Sequence, residues 1–249
     1  MGSFARGGAS VARDATNRDK RVTALEMQFE RVLFAGAHLD DIEFGCGGLV
    51  ARLGAAQDLR FLTLSKQTRA ASGEIQIVRD LDEPVRAAEV LGVPRDRVAV
   101  ENLDGQLFQG QAQNVREVFL DWRRDYDPDA VFVPARDDVH QDHHVVYEEA
   151  VRIFRDRTVI GFEVVRSTLS FRPNLFVALT EAEVERKAAA VACYESQLDP
   201  KQSAGHYFKP EIIRGQALFR GGQSSNELAE AYEIYFMQLR RTQPPAGGS

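Results

Sequence analysis

Four of the five histidines in this chain lie in two short clusters with carboxylates, about a hundred residues apart. The clusters read Ala37-His38-Leu39-Asp40-Asp41 and His140-Gln141-Asp142-His143-His144. Imidazole nitrogens and carboxylate oxygens are ligands that hold Zn²⁺ and similar divalent metals. The acidic side chains around His38 also repel one another unless a cation is present, and a metal supplies that charge. The clusters therefore predict a metal site if the fold brings them together.

Each cluster alone leaves alternatives open. His38 and Asp41 are three residues apart, so one tight turn can aim both at a single point, but Asp40 or Asp41 can also cap a helix that begins near residue 42.

In the second cluster, the spacing lets His140 act as a metal ligand together with either His143 or His144. It also allows a single histidine to be the ligand, with the other two in supporting roles. Asp142 either holds a histidine in one orientation or caps a helix.

Both clusters follow apolar runs that predict buried strands. Strands are predicted at 30–37, 59–64, 98–100, 130–134 and 158–163. Helical spacing is found at 49–53, 75–91, 115–126, 142–154 and 181–194. This alternation predicts an α/β fold with a Rossmann-like, mostly parallel, doubly wound sheet of order 3-2-1-4-5. In that order strands one and four are neighbours, so the clusters meet at the carboxyl edge of the sheet.

The remaining segments complete the expected domain organisation. Residues 167–179 predict one or two further strands, and 226–239 a closing helix. We expect a disordered leader at 1–25, a single domain at 26–241 and a disordered tail at 242–249. The run Gly45-Cys46-Gly47-Gly48 lacks the spacing of a dinucleotide-binding loop and instead predicts close packing of a helix on a strand.

Composition narrows the class of protein. The chain has 249 residues, 44% of them hydrophobic and 27% charged, which is typical of a soluble globular protein. Its net charge of −6 shows no excess of basic residues of the kind that indicates nucleic-acid binding. Two cysteines are too few for a disulfide scaffold and predict reduced thiols in a cytoplasmic protein. No apolar window approaches the roughly 18 residues needed to span a membrane.

The two clusters also carry a family resemblance. Residues 37–48, AHLDDIEFGCGG, resemble the A-H-P-D-D-x-E-x-G-x-G-G signature of the PIG-L/LmbE-like family of zinc-dependent de-N-acetylases, and 140–143 resemble its H-x-D-H motif. The resemblance covers nearly all of the chain from Arg31 onward. It departs from the family at Leu39, where the family has proline, and in the loop 65–74, which is longer and more basic than its counterpart.

The resemblance implies a role for each matching residue. It implies that the metal ligands are His38, Asp41 and His143. It also implies that Asp40 is the general base, and that His140 is an electrostatic or general-acid partner oriented by Asp142. His144 lies outside the pattern and receives no role.

Four further residues are candidates for substrate binding. The resemblance implies that Asp104 binds sugar hydroxyls, although an aspartate before glycine is also typical of a turn. Lys66, Arg69 and Arg79 are placed to meet a phosphate or carboxylate on the substrate, with a solvated basic loop as the alternative.

The expected function is a zinc-dependent hydrolase that removes an acetyl group from an N-acetylated amino sugar, such as an N-acetylglucosaminyl compound, or its conjugate. The expected cofactor is one Zn²⁺ per chain, with another divalent metal as the alternative. A zinc-bound water attacks the amide with Asp40 as base, and either Asp40 or His140 returns the proton to the amine. The alternatives are an amidase of the same family type that cleaves a larger amide of a sugar or thiol conjugate, and a non-catalytic Rossmann-like binding module.

Overall fold

The computed structural model describes residues 29–54, 57–69, 75–77, 82–197 and 206–238. The predicted leader and tail lie outside these residues. Among the residues described, no helix combines the length and hydropathy needed to cross a bilayer.

The described part of the chain forms nine strands and six α-helices. The strands are β1 (Arg31–Gly36), β2 (Asp58–Thr63), β3 (Gln67–Arg69), β4 (Ile75–Ile77), β5 (Val98–Val100), β6 (Ala130–Pro134), β7 (Thr158–Phe162), β8 (Leu175–Leu179) and β9 (Leu228–Phe236). The helices are α1 (Asp41–Leu53), α2 (Asp82–Val90), α3 (Ala112–Asp125), α4 (Gln141–Phe154), α5 (Glu181–Val191) and α6 (Pro210–Ser224).

Seven strands form one mixed sheet of order β5-β2-β1-β6-β7-β9-β8. Strands β5, β2, β1, β6 and β7 are parallel neighbours, which confirms the predicted order 3-2-1-4-5. Strand β9 runs antiparallel to both β7 and β8. Because β1 and β6 are adjacent and parallel, the segments that follow them leave the sheet at the same edge.

The sheet is covered on both faces, which explains why its central strands are continuous apolar runs. One core lies between the sheet and helices α1, α2, α5 and α6, and includes Phe34 stacked on Phe132 with ring centroids 4.7 Å apart. The other core, with Leu33 and Val131, lies under α3 and α4. Helices α1 and α4, which carry the two histidine clusters at their N-termini, therefore approach the sheet edge from opposite faces.

The predicted closing helix at 226–239 is wrong, because these residues form strand β9. The segment is rich in leucine, alanine and glutamate, which favour helix in isolation. In the protein, Glu230 and Glu233 are buried and accept hydrogen bonds from distant partners, the Lys187 ammonium and the Arg172 backbone N–H, so the tertiary environment overrides local propensity. Helix α6 directly before β9 was not predicted from the sequence.

The predicted helix at 75–91 is too long at its N-terminal end. Helix α2 begins at Asp82, whereas Ile75–Ile77 forms strand β4, which pairs antiparallel with β3. Pro84 is the third residue of α2, and proline is tolerated in the first helical turn, where no intrahelical N–H bond is lost.

The glycines of α1 allow the close helix–strand packing that the sequence predicts. A Cβ atom on Gly45 would lie 2.1 Å from the Phe162 ring on β7, and one on Gly48 would lie 2.5 Å from Cδ1 of Leu179 on β8. Only glycine fits at such separations. Cys46 between them is fully buried, as expected for a small apolar residue.

Helix α1 is also tied to β9 by a buried carboxylate. Glu230 accepts the backbone N–H groups of Gly48 at 2.8 Å and Leu49 at 2.7 Å, the Lys187 ammonium at 2.7 Å and the Tyr232 hydroxyl at 2.7 Å. The charges of Glu230 and Lys187 thus neutralise each other inside the protein. This contact fixes the position of α1, and with it the turn that precedes the helix.

Candidate metal centre

The two histidine clusters meet at the carboxyl edge of β1 and β6. His38 lies in the turn between β1 and α1, and His143 lies in the first turn of α4. Although 105 residues separate them in sequence, Nδ1 of His38 is 3.2 Å from Nε2 of His143. The predicted convergence of the clusters therefore occurs in the structure.

Asp41 completes a compact set of donor atoms. Its Oδ1 lies 3.1 Å from Nε2 of His143, and its Oδ2 lies 3.6 Å from Nδ1 of His38. Oδ2 also accepts the backbone N–H of His38 at 2.8 Å, which holds the turn closed. Two ligands on one tetrahedral Zn²⁺ are separated by about 3.3 Å, given bonds of about 2.0–2.1 Å. The three side chains thus have the spacing of atoms that share one ion.

The outer nitrogen of each imidazole is held by a carboxylate. Nε2 of His38 is 3.1 Å from Oδ2 of Asp142, and Nδ1 of His143 is 2.9 Å from Oδ2 of Asp138. A carboxylate on the outer nitrogen keeps the proton there and leaves the inner nitrogen free to bind a metal. The inner nitrogens are the pair that face each other next to Asp41.

The structure places Asp142 against His38 rather than against the His140 ring that sequence reasoning assigned to it. Its carboxylate accepts the backbone N–H of Gln106, and that of Phe108 at 3.2 Å. Its contact with His140 runs through the main chain, where the Asp142 N–H donates to Nδ1 of His140 at 3.2 Å. The carboxylate therefore links the loop after β5 to the first histidine cluster.

Asp138 was not among the residues predicted from the sequence. Its Oδ2 accepts the hydroxyls of Ser167 and Thr168 at 2.8 Å each, in addition to Nδ1 of His143, and its Oδ1 accepts the His140 backbone N–H at 2.8 Å. The available signal was the pair Asp137-Asp138, which only Val139 separates from the second cluster. Its hydroxyl partners come from a loop that no local pattern connects to that cluster.

His140 is the third histidine of the centre. It is the N-cap residue of α4, and its ring stacks on that of His143 with centroids 4.6 Å apart. His38, His140 and His143 each offer a ring nitrogen within 4.8 Å of the other two, so together they form a group able to hold a metal. His144 is half exposed and pairs with Glu148, which leaves it outside this group.

The charges of the site fit a bound cation. Burial alone would lower the pKa of each histidine, but hydrogen bonds that the His38 ring donates to Asp142 and Asp41 raise the pKa of His38 to about 10. The carboxylates of Asp41 and Asp138 likewise raise the pKa of His143 to about 9. Burial opposes ionisation of Asp41, yet the two histidines hold its pKa well below the usual range. Without a metal, protons supply the positive charge that this donor set requires.

Asp40 lies beside this centre and differs from Asp41 in its environment. It precedes α1 as the N-cap residue, but its side chain makes no capping hydrogen bond among the described residues, so helix capping does not account for it. Burial, together with the neighbouring Asp41 charge, raises the pKa of Asp40 to about 6. Such a carboxyl group exchanges a proton near neutral pH.

The turn that carries Leu39 in place of the family's proline is held by other means. The Leu39 side chain is buried in the core, and its carbonyl accepts the hydroxyl of Tyr194, which follows α5. This contact ties the backbone between His38 and Asp40 to the segment after α5.

The candidate substrate residues are only partly described. Asp104 is exposed and accepts the side-chain amides of Gln67 at 2.9 Å and Gln111 at 3.3 Å. Lys66 is half-buried and directly precedes β3. The side chain of Arg69 and the whole of Arg79 lie outside what the structure describes.

Comparison with known proteins finds a family match that includes both histidine clusters. Residues 33–154, which contain both clusters, match the family model "PIG-L: GlcNAc-PI de-N-acetylase". The chain is 29% identical over 171 residues to a protein of Escherichia coli K12 named "Uncharacterized deacetylase YaiS", over 66% of this chain and 90% of that protein.

Two solved structures share the fold at low identity. The N,N'-diacetylchitobiose deacetylase of Pyrococcus horikoshii superposes with a TM-score of 0.65 at 18% identity, over 83% of this chain and 84% of that one. The 4-carboxy-2-hydroxymuconate hydratase GalB of Pseudomonas putida KT2440 does so with a TM-score of 0.64 at 20% identity, over 86% of this chain and all of that one. Because one is a deacetylase and the other a hydratase, the fold alone does not determine the reaction.

The family assignment depends instead on the sequence match over both histidine clusters, which the deacetylase of E. coli supports. Residues 33–154, with both histidine clusters, therefore match the PIG-L family of de-N-acetylases.

Proposed function

We propose that this protein is a metal-dependent hydrolase that removes the acetyl group from an N-acetylated amino sugar or its conjugate. One observation carries the proposal. The inner nitrogens of His38 and His143 face each other 3.2 Å apart beside Asp41, while carboxylates hold both outer nitrogens. Such an arrangement is typical of a metal site with oriented histidine ligands.

We assign the metal to His38, Asp41 and His143, with Zn²⁺ as the favoured ion. Three protein ligands leave a coordination position open, as in catalytic zinc sites. When bound, the metal would polarise the amide carbonyl and lower the pKa of a water molecule. His140 is close enough to these ligands to contact either the ion or the substrate.

Asp40 is the proposed general base. It is adjacent to a ligand but is not one itself, and a pKa of about 6 leaves it mostly ionised at neutral pH, ready to accept a proton from the attacking water. In the metal-free protein, burial and the positive charges of His38 and His143 lower the pKa of His140 to about 4. The charge of a metal bound to those two residues would act in the same direction, so we assign a neutral ring to His140 at pH 7. The proton that Asp40 accepts is therefore the one available to the leaving amine.

A neutral His140 still has a part in the proposed mechanism. Because its Nδ1 accepts the Asp142 backbone N–H, its ring proton resides on Nε2. That N–H can donate to the carbonyl oxygen as negative charge develops there. Of the two roles that the resemblance implies for His140, electrostatic partner and general acid, we thus propose the electrostatic one.

The proposal is tested by incubating the zinc-loaded protein with a panel of N-acetylated amino sugars and measuring both free acetate and free amine. We expect release of the two products in equal amounts. Asp40→Asn should retain zinc and lose a factor of about 10²–10⁴ in rate, whereas Asp41→Asn should lose zinc.

Two results would contradict this function. Zinc-loaded protein that releases no acetate from any member of the panel would favour a binding module. Amine release without acetate from substrates with larger acyl groups would favour the amidase alternative.

A further inference from the structure

The backbone of Gln106, in the loop after β5, adopts a conformation that residues with a Cβ atom rarely adopt. Its φ is 65°, in the left-handed region. In the part of the chain that the structure describes, Asp127 and Ser225 are the other non-glycine residues with a positive φ. Such a conformation costs free energy and persists only where the surroundings hold it, so it points to a functional constraint. The contacts of Gln106 show what holds it.

The strain arises in a turn whose glycine stands one position before the residue that needs a positive φ. The Leu107 N–H donates to the Asp104 carbonyl at 3.2 Å and closes a β-turn. Gln106 is the third residue of this turn, where a positive φ is usually adopted by glycine or asparagine. The glycine is Gly105 instead, where a Cβ atom would lie 2.9 Å from Oγ of Ser65. Close packing on the segment after β2 accounts for this glycine, and the positive φ falls on Gln106.

Both main-chain polar groups of Gln106 bind the start of α4. Its N–H donates to Oδ2 of Asp142, and its carbonyl accepts the side-chain amide of Gln141. Two residues further on, the Phe108 N–H donates to Oδ1 of Asp142 at 3.2 Å. The Phe108 ring is fully buried in the core under α3 and α4, which fixes the loop at that point. The two oxygens of one carboxylate are therefore held by N–H groups on either side of Leu107.

The positive φ of Gln106 lets these two N–H groups converge. The Gln106 N–H lies before the N–Cα bond about which φ turns, and the Phe108 N–H lies after it. Rotation to an ordinary negative φ, a change of more than about 100°, would point the two groups in different directions. The Asp142 carboxylate would then lose one of its donors. Because Oδ2 of Asp142 also lies 3.1 Å from Nε2 of His38, the imidazole would lose part of its support.

We propose that Gln106 is a positioning residue of the metal centre, whose left-handed backbone holds the Asp142 carboxylate against the His38 ring. It acts through Asp142, and its own side chain is not required, so any residue that accepts a positive φ should serve at this position. Outer contacts of this kind orient a histidine ligand and raise its affinity for a metal. The inference rests on the proposed function, because it takes His38 as a metal ligand.

Two substitutions separate the backbone conformation of Gln106 from its side chain. Gln106→Gly retains the N–H and accepts a positive φ, so zinc affinity should stay within about twofold of that of the unsubstituted protein. Gln106→Val also retains the N–H, but a β-branched residue strongly disfavours a positive φ, and zinc affinity should fall roughly tenfold. Competition with a chromophoric chelator measures the affinities, and circular dichroism establishes that each variant is folded. Equal zinc affinity of the two variants would overturn the inference.

Ser225→Val is the matched control, because Ser225 has a φ of 59° at the end of α6, a helix that carries none of the proposed ligands. It should unfold more easily yet bind zinc as the unsubstituted protein does. A loss of zinc affinity as large as that of Gln106→Val would reduce the effect to general destabilisation and contradict the inference.

A double substitution tests the route through the carboxylate. In an Asp142→Ala background, Gln106→Val should lower zinc affinity by no more than about a further twofold, because the group through which it acts is already gone. A further loss of the full tenfold would show that Gln106 acts by another route.

Amide hydrogen exchange in the metal-free protein needs no substitution at Gln106, and it decides the matter if Gln106→Val does not fold. The Gln106 N–H should exchange roughly tenfold faster in Asp142→Ala than in the unsubstituted protein, because its acceptor has been removed. The Leu64 N–H, which donates to the Gly36 carbonyl at 3.0 Å, should be unaffected and serves as the internal control. Unchanged exchange at Gln106 would refute the inference. If the unsubstituted protein binds no zinc, the proposed function fails, and the exchange rates still decide whether Gln106 holds Asp142.

Discussion

Asp138 binds His143 on the side opposite the other metal-capable groups, with its Oδ2 2.9 Å from Nδ1 of the imidazole. The same oxygen accepts the hydroxyls of Ser167 and Thr168, so the carboxylate cannot move without breaking several contacts. The orientation of one proposed ligand is thus set by a loop that follows β7, a strand distant in sequence from the first histidine cluster.

Asp138→Asn should weaken zinc binding about 10–100-fold, the usual effect of removing a carboxylate that orients a histidine ligand. The amide retains the size of the side chain but loses the charge that favours the Nδ1–H tautomer of His143. Competition with a chromophoric chelator measures the affinity. The control is Asp137→Asn, because Asp137 pairs only with its exposed neighbour Arg136 among the described ion pairs. Unchanged zinc affinity in Asp138→Asn would refute the orienting role.

Zinc binding should release protons at neutral pH. In the metal-free protein the pKa values of His38 and His143 are raised to about 10 and about 9, so both rings are protonated at pH 7. A metal must displace these protons, and affinity should therefore rise with pH until the histidines titrate on their own. Calorimetric titrations in buffers of different ionisation enthalpy should report about two protons released per zinc. A binding enthalpy that is independent of buffer would contradict the prediction.

On the acidic side of the pH–rate profile, the fall in rate should reflect protonation of Asp40. Burial and the Asp41 charge raise the pKa of Asp40 to about 6, and a general base works only in its ionised form. The rate should therefore fall as pH decreases through about 6, while zinc content measured in parallel stays constant over the upper part of that range. Activity that persists undiminished well below pH 5 in zinc-loaded protein would exclude this assignment.

Glu230→Gln should destabilise the whole fold. The substitution leaves the Lys187 ammonium buried without its anionic partner, and breaking one side of a buried pair typically costs about 3–5 kcal/mol. Urea unfolding measures the change. The matched control is Glu181→Gln, whose pair with Arg214 is half exposed and should contribute little. Equal stability of the two variants would show that the buried pair is not required.

The sequence was sufficient to predict the parallel part of the sheet and the meeting of the clusters. The strands around His38 and His143 are continuous apolar runs whose order follows from the rules for doubly wound sheets. The same reasoning failed at β9, where Glu230 is stabilised by Lys187 and by α1, partners that no local pattern reveals.

The contact between Asp142 and His38 was unpredictable for a similar reason. Spacing alone pairs Asp142 with its neighbour His140, whereas in the structure the carboxylate reaches across to another loop. Periodicity along the sequence does not show which distant residues come into contact after folding. The candidate metal ligands were therefore easier to predict than the residues that hold them in place.

Because Glu230 binds the backbone of α1 at Gly48 and Leu49, the helix that begins with Asp41 is secured by one of the last strands of the chain. The segment 33–154 contains every histidine and aspartate of the centre, but it lacks this anchor. We therefore expect a truncated protein that ends before β9 to misplace His38 and Asp41. The centre should become competent only after β9 has left the ribosome.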